Sequence, residues 1–200
     1  MSDVFSKPWP AALFWATYLA FVLLDARLVL RVFAGRAVPD GGAAAHGGPV
    51  HRPGGVFWLV AGEGVALGLA TLAMFRLPAT TPLLVIGLVA AWLGIGLRFW
   101  AKRTLGRFFV GAVVIQDGHE VVTSGPYALI RHPGYAGSML ALVGFGVATA
   151  NAASLVAFVV LSLAVFVRTI RVEERVLCSR LGEPYAEYSR HTSRLVPRLW

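Results

Sequence analysis

Apolar residues fall in five long blocks along this chain, separated by polar or glycine-rich connections. The first, Ala11 to about Val32, carries Trp9, Trp15 and Tyr18 at its start and Asp25, Arg27 and Arg31 at its end, as a membrane span with an interfacial aromatic belt would. The second, Val56 to Phe75, and the third, Pro82 to about Trp100, are long enough to cross a hydrocarbon core of roughly 30 Å. The last two, Ala136 to Ala150 and Ala152 to Val167, are parted only by Asn151. At about 1.5 Å per residue each of these would reach only about 24 Å, so they predict a tight helical hairpin whose two ends return to one side. Residues 34–55, rich in Gly and Pro, predict a flexible connector. Val113–Gln116 and His119–Val122 flank Asp117-Gly118, a strong hairpin signal, and predict a small β-hairpin at the membrane surface. From Arg168 to Trp200 the chain turns charged and amphipathic. The expected fold class is an all-α integral membrane protein. About five transmembrane helices are expected, the last two a short hairpin, with a small cytoplasmic β-hairpin and a C-terminal amphipathic helix, in a single membrane domain over 1–200.

Composition supports that setting. With 57% hydrophobic and 14% charged residues, the chain is too apolar for a soluble domain of 200 residues. The net charge of +8 raises nucleic acid as a partner, but its distribution argues against one. With the N-terminus outside and the C-terminus inside, only Lys7 and Arg76 face outward, leaving 16 of the 18 Lys and Arg at the cytoplasmic side, as the positive-inside rule requires. The first ten residues carry Asp3 and Lys7 and lead into a full-length span, so no cleavable signal is expected. Cys178 is the single cysteine and reads as a free thiol. His46 and His51 have no Cys or acidic companions, and no metal site is expected. Glu63, inside the second span, is either a functional group or half of a structural ion pair, with equal weight on each.

The chemistry is concentrated between Ser124 and Tyr135, where two Pro, two Gly, two Tyr, an Arg and a His occupy twelve positions. Each Pro biases the residue before it away from helix, so His132 stands just outside a helix that Pro133 can start. A side chain and the unpaired N–H groups of a helix start then share one space, which suits an anionic or polar ligand group, although a plain loop-to-helix junction has about even weight. Arg98, Lys102, Arg103 and Arg107, interleaved with Phe99, Trp100, Phe108 and Phe109, form a basic and aromatic membrane-surface stretch. The hairpin of the last two spans should bring His119, Tyr127, Arg131, His132 and Tyr135 together with Arg168, Arg171, Glu173, Glu174, Tyr185 and Tyr188. Carboxylates can hold an amine or ribose hydroxyls, a helix start and arginines can hold a carboxylate, and aromatic rings attract a cation. Those are the needs of an amino-acid-bearing sulfonium cofactor, and of many other polar ligands. Gly-x-Gly-x-x-Gly, P-loop and Gly-x-Ser-x-Gly motifs are all missing. Glu173 and Glu174 as a solvated helix face, and Tyr185 and Tyr188 as docking residues, remain open at this level.

At these residues the sequence resembles the isoprenylcysteine carboxyl methyltransferase and phospholipid methyltransferase family of integral membrane enzymes. The likeness is carried by Gly125-Pro126-Tyr127, by Arg131-His132-Pro133-Gly134-Tyr135-Ala136-Gly137, and by the tail pattern Arg171-Val172-Glu173-Glu174, Leu177, Leu181-Gly182, Tyr185, Tyr188 and Pro197. It covers about Arg98 to Pro197, so the resemblance makes 98–200 a cofactor-binding catalytic core behind the N-terminal spans of 1–97. It implies S-adenosylmethionine as cofactor and a lipophilic small-molecule or lipid acceptor entering from the membrane lipids. The implied cofactor contacts are His119, Glu120, Val121, Val122, Tyr127, Arg131, His132, Pro133, Gly134, Tyr135 and Glu173. The implied acceptor side is Arg171 or Arg168, with Glu174 available to take a proton. Where the family has a glutamine before the hairpin, this chain has Ala112, with Gln116 nearby. Methyl transfer needs an in-line nucleophile and exclusion of water, so His132 and Tyr135 are expected to shape the pocket more than to act as bases. Two other classes stay open: a membrane sterol-type reductase using NADPH, for which Arg175, Arg180 and Arg190 could take a 2′-phosphate, and a non-catalytic membrane scaffold.

Overall fold

The computed structural model describes residues 8–33, 65–67, 80–109 and 120–197. In chain order its helices are α1 (Pro8–Phe33), α2 (Thr80–Leu105), α3 (Pro133–Ala148), α4 (Ala152–Leu181) and α5 (Glu183–His191), with short 3-10 turns at Gly106–Phe108 and Gly125–Ala128. Their ends follow from local chemistry. Pro133 occupies the start of α3 with His132 as the capping residue, in the arrangement the sequence predicts. Asn151 caps α4, its side-chain oxygen accepting the Ser154 N–H at 3.1 Å. Gly182 ends α4 with φ of 61°, a left-handed conformation that glycine adopts without strain, and lets α5 fold back.

Among the described residues, two helical stretches are long and apolar enough to cross a membrane, Thr81–Phe108 and Ala152–Leu181; Trp9–Leu24 and Pro133–Ala148 are shorter apolar helices. The expected second span lies almost wholly outside the described residues, which include only the helical Val65–Leu67. The connector at 34–55, Glu63 and most of the expected β-hairpin also lie outside them. The part of the hairpin that is described, 120–122, has no strand, and the described residues contain no sheet; Ile130 and Ser193 form an isolated parallel bridge. The helical hairpin is present, but α4 does not stop near Val167. It runs unbroken to Leu181, because Arg168 to Leu181 contains neither Gly nor Pro to stop it.

The core is built on α2 and α3, which pack antiparallel with their backbones in direct contact. A Cβ placed on Gly94 would sit 2.4 Å from the Ala141 nitrogen and the Gly137 oxygen, and one on Gly87 would sit 2.4 Å from the Ala148 nitrogen. Gly137 and Gly144 meet α2 in the same way. Small residues therefore line both helices at one-turn intervals, Gly87, Ala91 and Gly94 against Gly137, Ala141, Gly144 and Ala148. Phe145 fills the space toward α1, ringed edge-on by Phe14 at 5.7 Å, Tyr18 at 5.2 Å and Phe21 at 5.7 Å. The opposite faces of the helices expose large apolar side chains, among them Leu19 and Leu23 on α1, Ile86, Trp92 and Leu93 on α2, and Val156 and Val160 on α4. Such continuous apolar surface is stable against lipid and not against water.

Candidate active site

The close contact of α2 and α3 sets the floor of the site. Arg98 lies one helical turn beyond Gly94, and its guanidinium is buried at the start of α3, where Nη1 donates to the Gly134 carbonyl at 2.9 Å. With α2 held this near, Arg98 reaches a carbonyl that would otherwise lie out of range. His132, 5% exposed, stands at the same point with its ring 5.8 Å from that of Tyr135, which in turn stacks at 5.4 Å on Phe166 of α4. Pro133 and Gly134 are buried beside it.

The C-terminal half of α4 supplies the carboxylates. Glu173 Oε2 lies 3.8 Å from His132 Nδ1, and Glu174 Oε1 lies 3.4 Å from His132 Nε2, so the imidazole is held between two acidic side chains. Arg131 Nε donates to Glu174 Oε1 at 2.8 Å and Arg194 Nε to Glu174 Oε2 at 2.7 Å, leaving Glu174 fully engaged inside the protein. Glu173 differs. Its Oε2 is buried without a hydrogen-bond partner while the side chain as a whole is 26% exposed, so a buried acceptor sits beneath an accessible group.

The tail closes the arrangement. Residues 193–194 run alongside 130–132, the Arg131 and His132 N–H groups donating to the Ser193 and Arg194 carbonyls at 2.8 and 3.0 Å. The Arg131 guanidinium also donates to the carbonyls of Ser189, at 2.8 Å, and Thr192. On α5, the Tyr188 hydroxyl donates to the Tyr127 carbonyl at 2.7 Å, which is a docking role. Burial pushes the Tyr188 phenol up to about 12. Burial and the charge of Glu173 push Tyr127 well above the ordinary phenol range, and burial with Glu174 does the same for Tyr185. The Tyr185 hydroxyl is likewise buried without a hydrogen-bond partner.

Tyr127, Arg131, His132, Pro133, Gly134, Tyr135, Glu173 and Glu174 thus converge, as the sequence predicts. Val121 and Val122 are half-buried on the segment leading in, Glu120 is exposed, and His119 lies outside the described residues. Arg168 and Arg171 do not join them. At about 100° per residue, both fall on the side of α4 opposite Glu173, and both are exposed. Sequence reasoning assigned no site role to Arg98 and overlooked Arg194. The first has one faint signal, a single charge following a long uncharged run one turn after Gly94; the second has none, because its partner is twenty residues away and only the fold joins them.

Residues 84–179 match the family model described as the isoprenylcysteine carboxyl methyltransferase (ICMT) family. Over that segment, a little under half of the chain, it is similar to this family. A probable protein-S-isoprenylcysteine O-methyltransferase of Oryza sativa subsp. indica is 36% identical over 114 residues, 56% of this chain and 60% of the relative. The cobalt-zinc-cadmium resistance protein CzcN of Cupriavidus metallidurans is 34% identical over 108 residues, 54% of this chain and 50% of that protein. The matched part thus spans half to three fifths of these curated relatives. The fold is shared with the eukaryotic intramembrane Ras methyltransferase ICMT, at a TM-score of 0.67 and 24% identity over 96% of this chain and 69% of that one. The ICMT family segment contains α3 and all of α4 but its last two residues, whereas the tail that closes the site, from Thr192 onward, lies beyond it.

Proposed function

We propose that this protein is a membrane methyltransferase that uses S-adenosylmethionine and delivers the methyl group to a lipophilic acceptor, an isoprenylcysteine-like carboxylate or another lipid. The reading is carried by one observation: beside the Arg131-His132-Pro133 motif, Glu173 Oε2 is a buried acceptor without a hydrogen-bond partner, 3.8 Å from His132 Nδ1. Those groups fit the cofactor's polar end. Glu173 would accept from its amine or from ribose hydroxyls, the start of α3 would face its carboxylate, and the rings of Tyr127 and Tyr135 would lie toward the cation. Once bound, the cofactor supplies an electrophilic methyl group.

The chain's own part is placement and dryness. Arg131, Arg194 and His132 hold Glu174, and through it they fix the spacing between α4, the tail and the start of α3. Glu174 is therefore a positioning residue here. Holding the reactants in line and out of water supplies most of the rate in a displacement that needs little proton transfer. The α3–α4 hairpin brings every polar segment of the site to one end, which with the charge distribution corresponds to a cytoplasmic site, the N-terminus outside and the C-terminus inside.

Isothermal titration of the detergent-purified chain with S-adenosylhomocysteine, beside NADPH, tests this. Micromolar binding of S-adenosylhomocysteine to the wild type, lost in Glu173→Ala and in His132→Ala variants that still melt cooperatively, is the expected result. No binding to folded wild type, or tighter binding of NADPH, overturns the proposal and leaves the family likeness one of architecture.

A further inference from the structure

Three arginines are left unused by the site. Arg168, Arg171 and Arg175 are spaced three and four apart and stand together on one exposed face of α4, about 160–220° round the helix from Glu173. Among the described residues none of them forms an ion pair with a carboxylate; Arg175 only returns a hydrogen bond to the Arg171 carbonyl at 3.2 Å. One and two turns earlier the same face carries exposed Ala164 and Leu161. This exposed face thus changes abruptly from apolar to triply cationic.

The position of that change along the helix is informative. The apolar part of α4, residues 152–167, is about 24 Å long, and the next eight residues, 168–175, cover about 12 Å more. A hydrocarbon core of roughly 30 Å is flanked by headgroup layers of about 5–8 Å. With the helix crossing the bilayer from Ala152, Arg168 and Arg171 fall about 24–28 Å along it, just inside the edge of the hydrocarbon core, and Arg175 about 34 Å along it, among the headgroups, so that the long side chains of the first two extend outward to the depth of lipid phosphates. Arginine offers a planar fork that matches phosphate oxygens in pairs.

We propose that Arg168, Arg171 and Arg175 form a binding site for the headgroup of an anionic phospholipid, seated on α4 beside the catalytic cleft and separate from it. The site does not rest on the methyl-transfer reading. It also gives a role to side chains that fall on the side of α4 away from Glu173 although they lie within five residues of it in sequence.

The test uses the full chain in neutral detergent at low salt, titrated with phosphatidylglycerol or phosphatidylcholine of the same acyl chains and read by native mass spectrometry. A preference for phosphatidylglycerol of about tenfold or more is expected, with about fivefold lost in Arg171→Gln and nearly all of it lost in the Arg168→Gln/Arg171→Gln/Arg175→Gln variant. The melting temperature in neutral detergent alone should stay unchanged, because no described contact of the core involves these side chains. Equal binding of the two lipids by the wild type, or a preference that survives in both variants, overturns the proposal. So does binding of glycerol phosphate as tight as that of phosphatidylglycerol, which would mark a site for a soluble phosphate instead.

Discussion

Glycine to alanine changes two residues apart on α2 should have opposite effects. At Gly94 the new methyl group would lie 2.4 Å from the Ala141 nitrogen and the Gly137 oxygen and 3.0 Å from the Ala141 Cα, all of them backbone. No rotamer change can relieve this, so α2 and α3 must separate by about 1 Å to restore ordinary contact. Overpacking of this kind costs about 1–3 kcal/mol, and a gap of that size also forfeits a quarter to a half of each dispersion contact along the seam. The helix-propensity gain of alanine, about 1 kcal/mol, offsets only part of this, leaving Gly94→Ala destabilised by about 1–2 kcal/mol. At Gly96 a Cβ meets nothing within 4 Å, so only the propensity gain operates and Gly96→Ala is stabilised by up to about 1 kcal/mol. At about 2–4 °C per kcal/mol for a chain of this size, thermal melting in detergent should fall by about 2–8 °C in the first variant and hold or rise slightly in the second. The Arg98 hydrogen bond to the Gly134 carbonyl is carried by the same contact, so S-adenosylhomocysteine affinity should weaken in Gly94→Ala alone. Equal shifts in melting for the two variants, or a stable Gly94→Ala with intact affinity, would refute the backbone-contact account of how the site is positioned.

Glu174→Ala should cost more than either, about 3–5 kcal/mol, because it strands the buried Arg131 and His132; Arg194→Ala should cost about 1 kcal/mol or less, since that side chain is 36% exposed. Melting of both variants and of the double variant gives the coupling, and additive losses would remove Glu174 from its positioning role. For Tyr188 the prediction concerns alkaline pH. Its phenol is raised in the folded state from 10.0 to about 12, so the unfolded chain loses that proton first and stability falls as pH rises from about 10 to 12. Tyr188→Phe, which removes the bond to the Tyr127 carbonyl, should flatten that part of the pH profile measured by melting, and a profile unchanged from wild type would count against it.

The hydrophobic pattern was informative where lipid imposes it. An apolar block of twenty residues has few alternatives to a membrane helix, and α2 appears where the pattern puts it, although extended at both ends. The Pro133 start of α3 was legible for a local reason, since it depends on residues within a few positions, whereas Asn151 marked only the break between two apolar runs and its cap of α4 came from the structure. The length of α4 was not, because the change from apolar to charged residues at Arg168 marks the edge of the bilayer and not the end of a helix. The gathering of Arg131, His132, Glu173 and Glu174 could be expected from the hairpin, but the sides on which residues of α4 fall were assigned too generously. Arg168 and Arg171 share the neighbourhood of Glu173 in sequence and not its face.

What the sequence determined by itself is the membrane class, the helical hairpin and the helix start at His132-Pro133, all products of composition or of contacts a few residues apart. What only the tertiary structure decided is the set of long-range closures: Arg98 against Gly134, Arg194 against Glu174, and the tail laid along residues 130–132. Each joins groups twenty or more residues apart through a backbone carbonyl or a single carboxylate. Every residue carries such a carbonyl, so residue identity cannot single out which one is used. That choice follows from how near the helices come, which the small residues between α2 and α3 set to direct backbone contact.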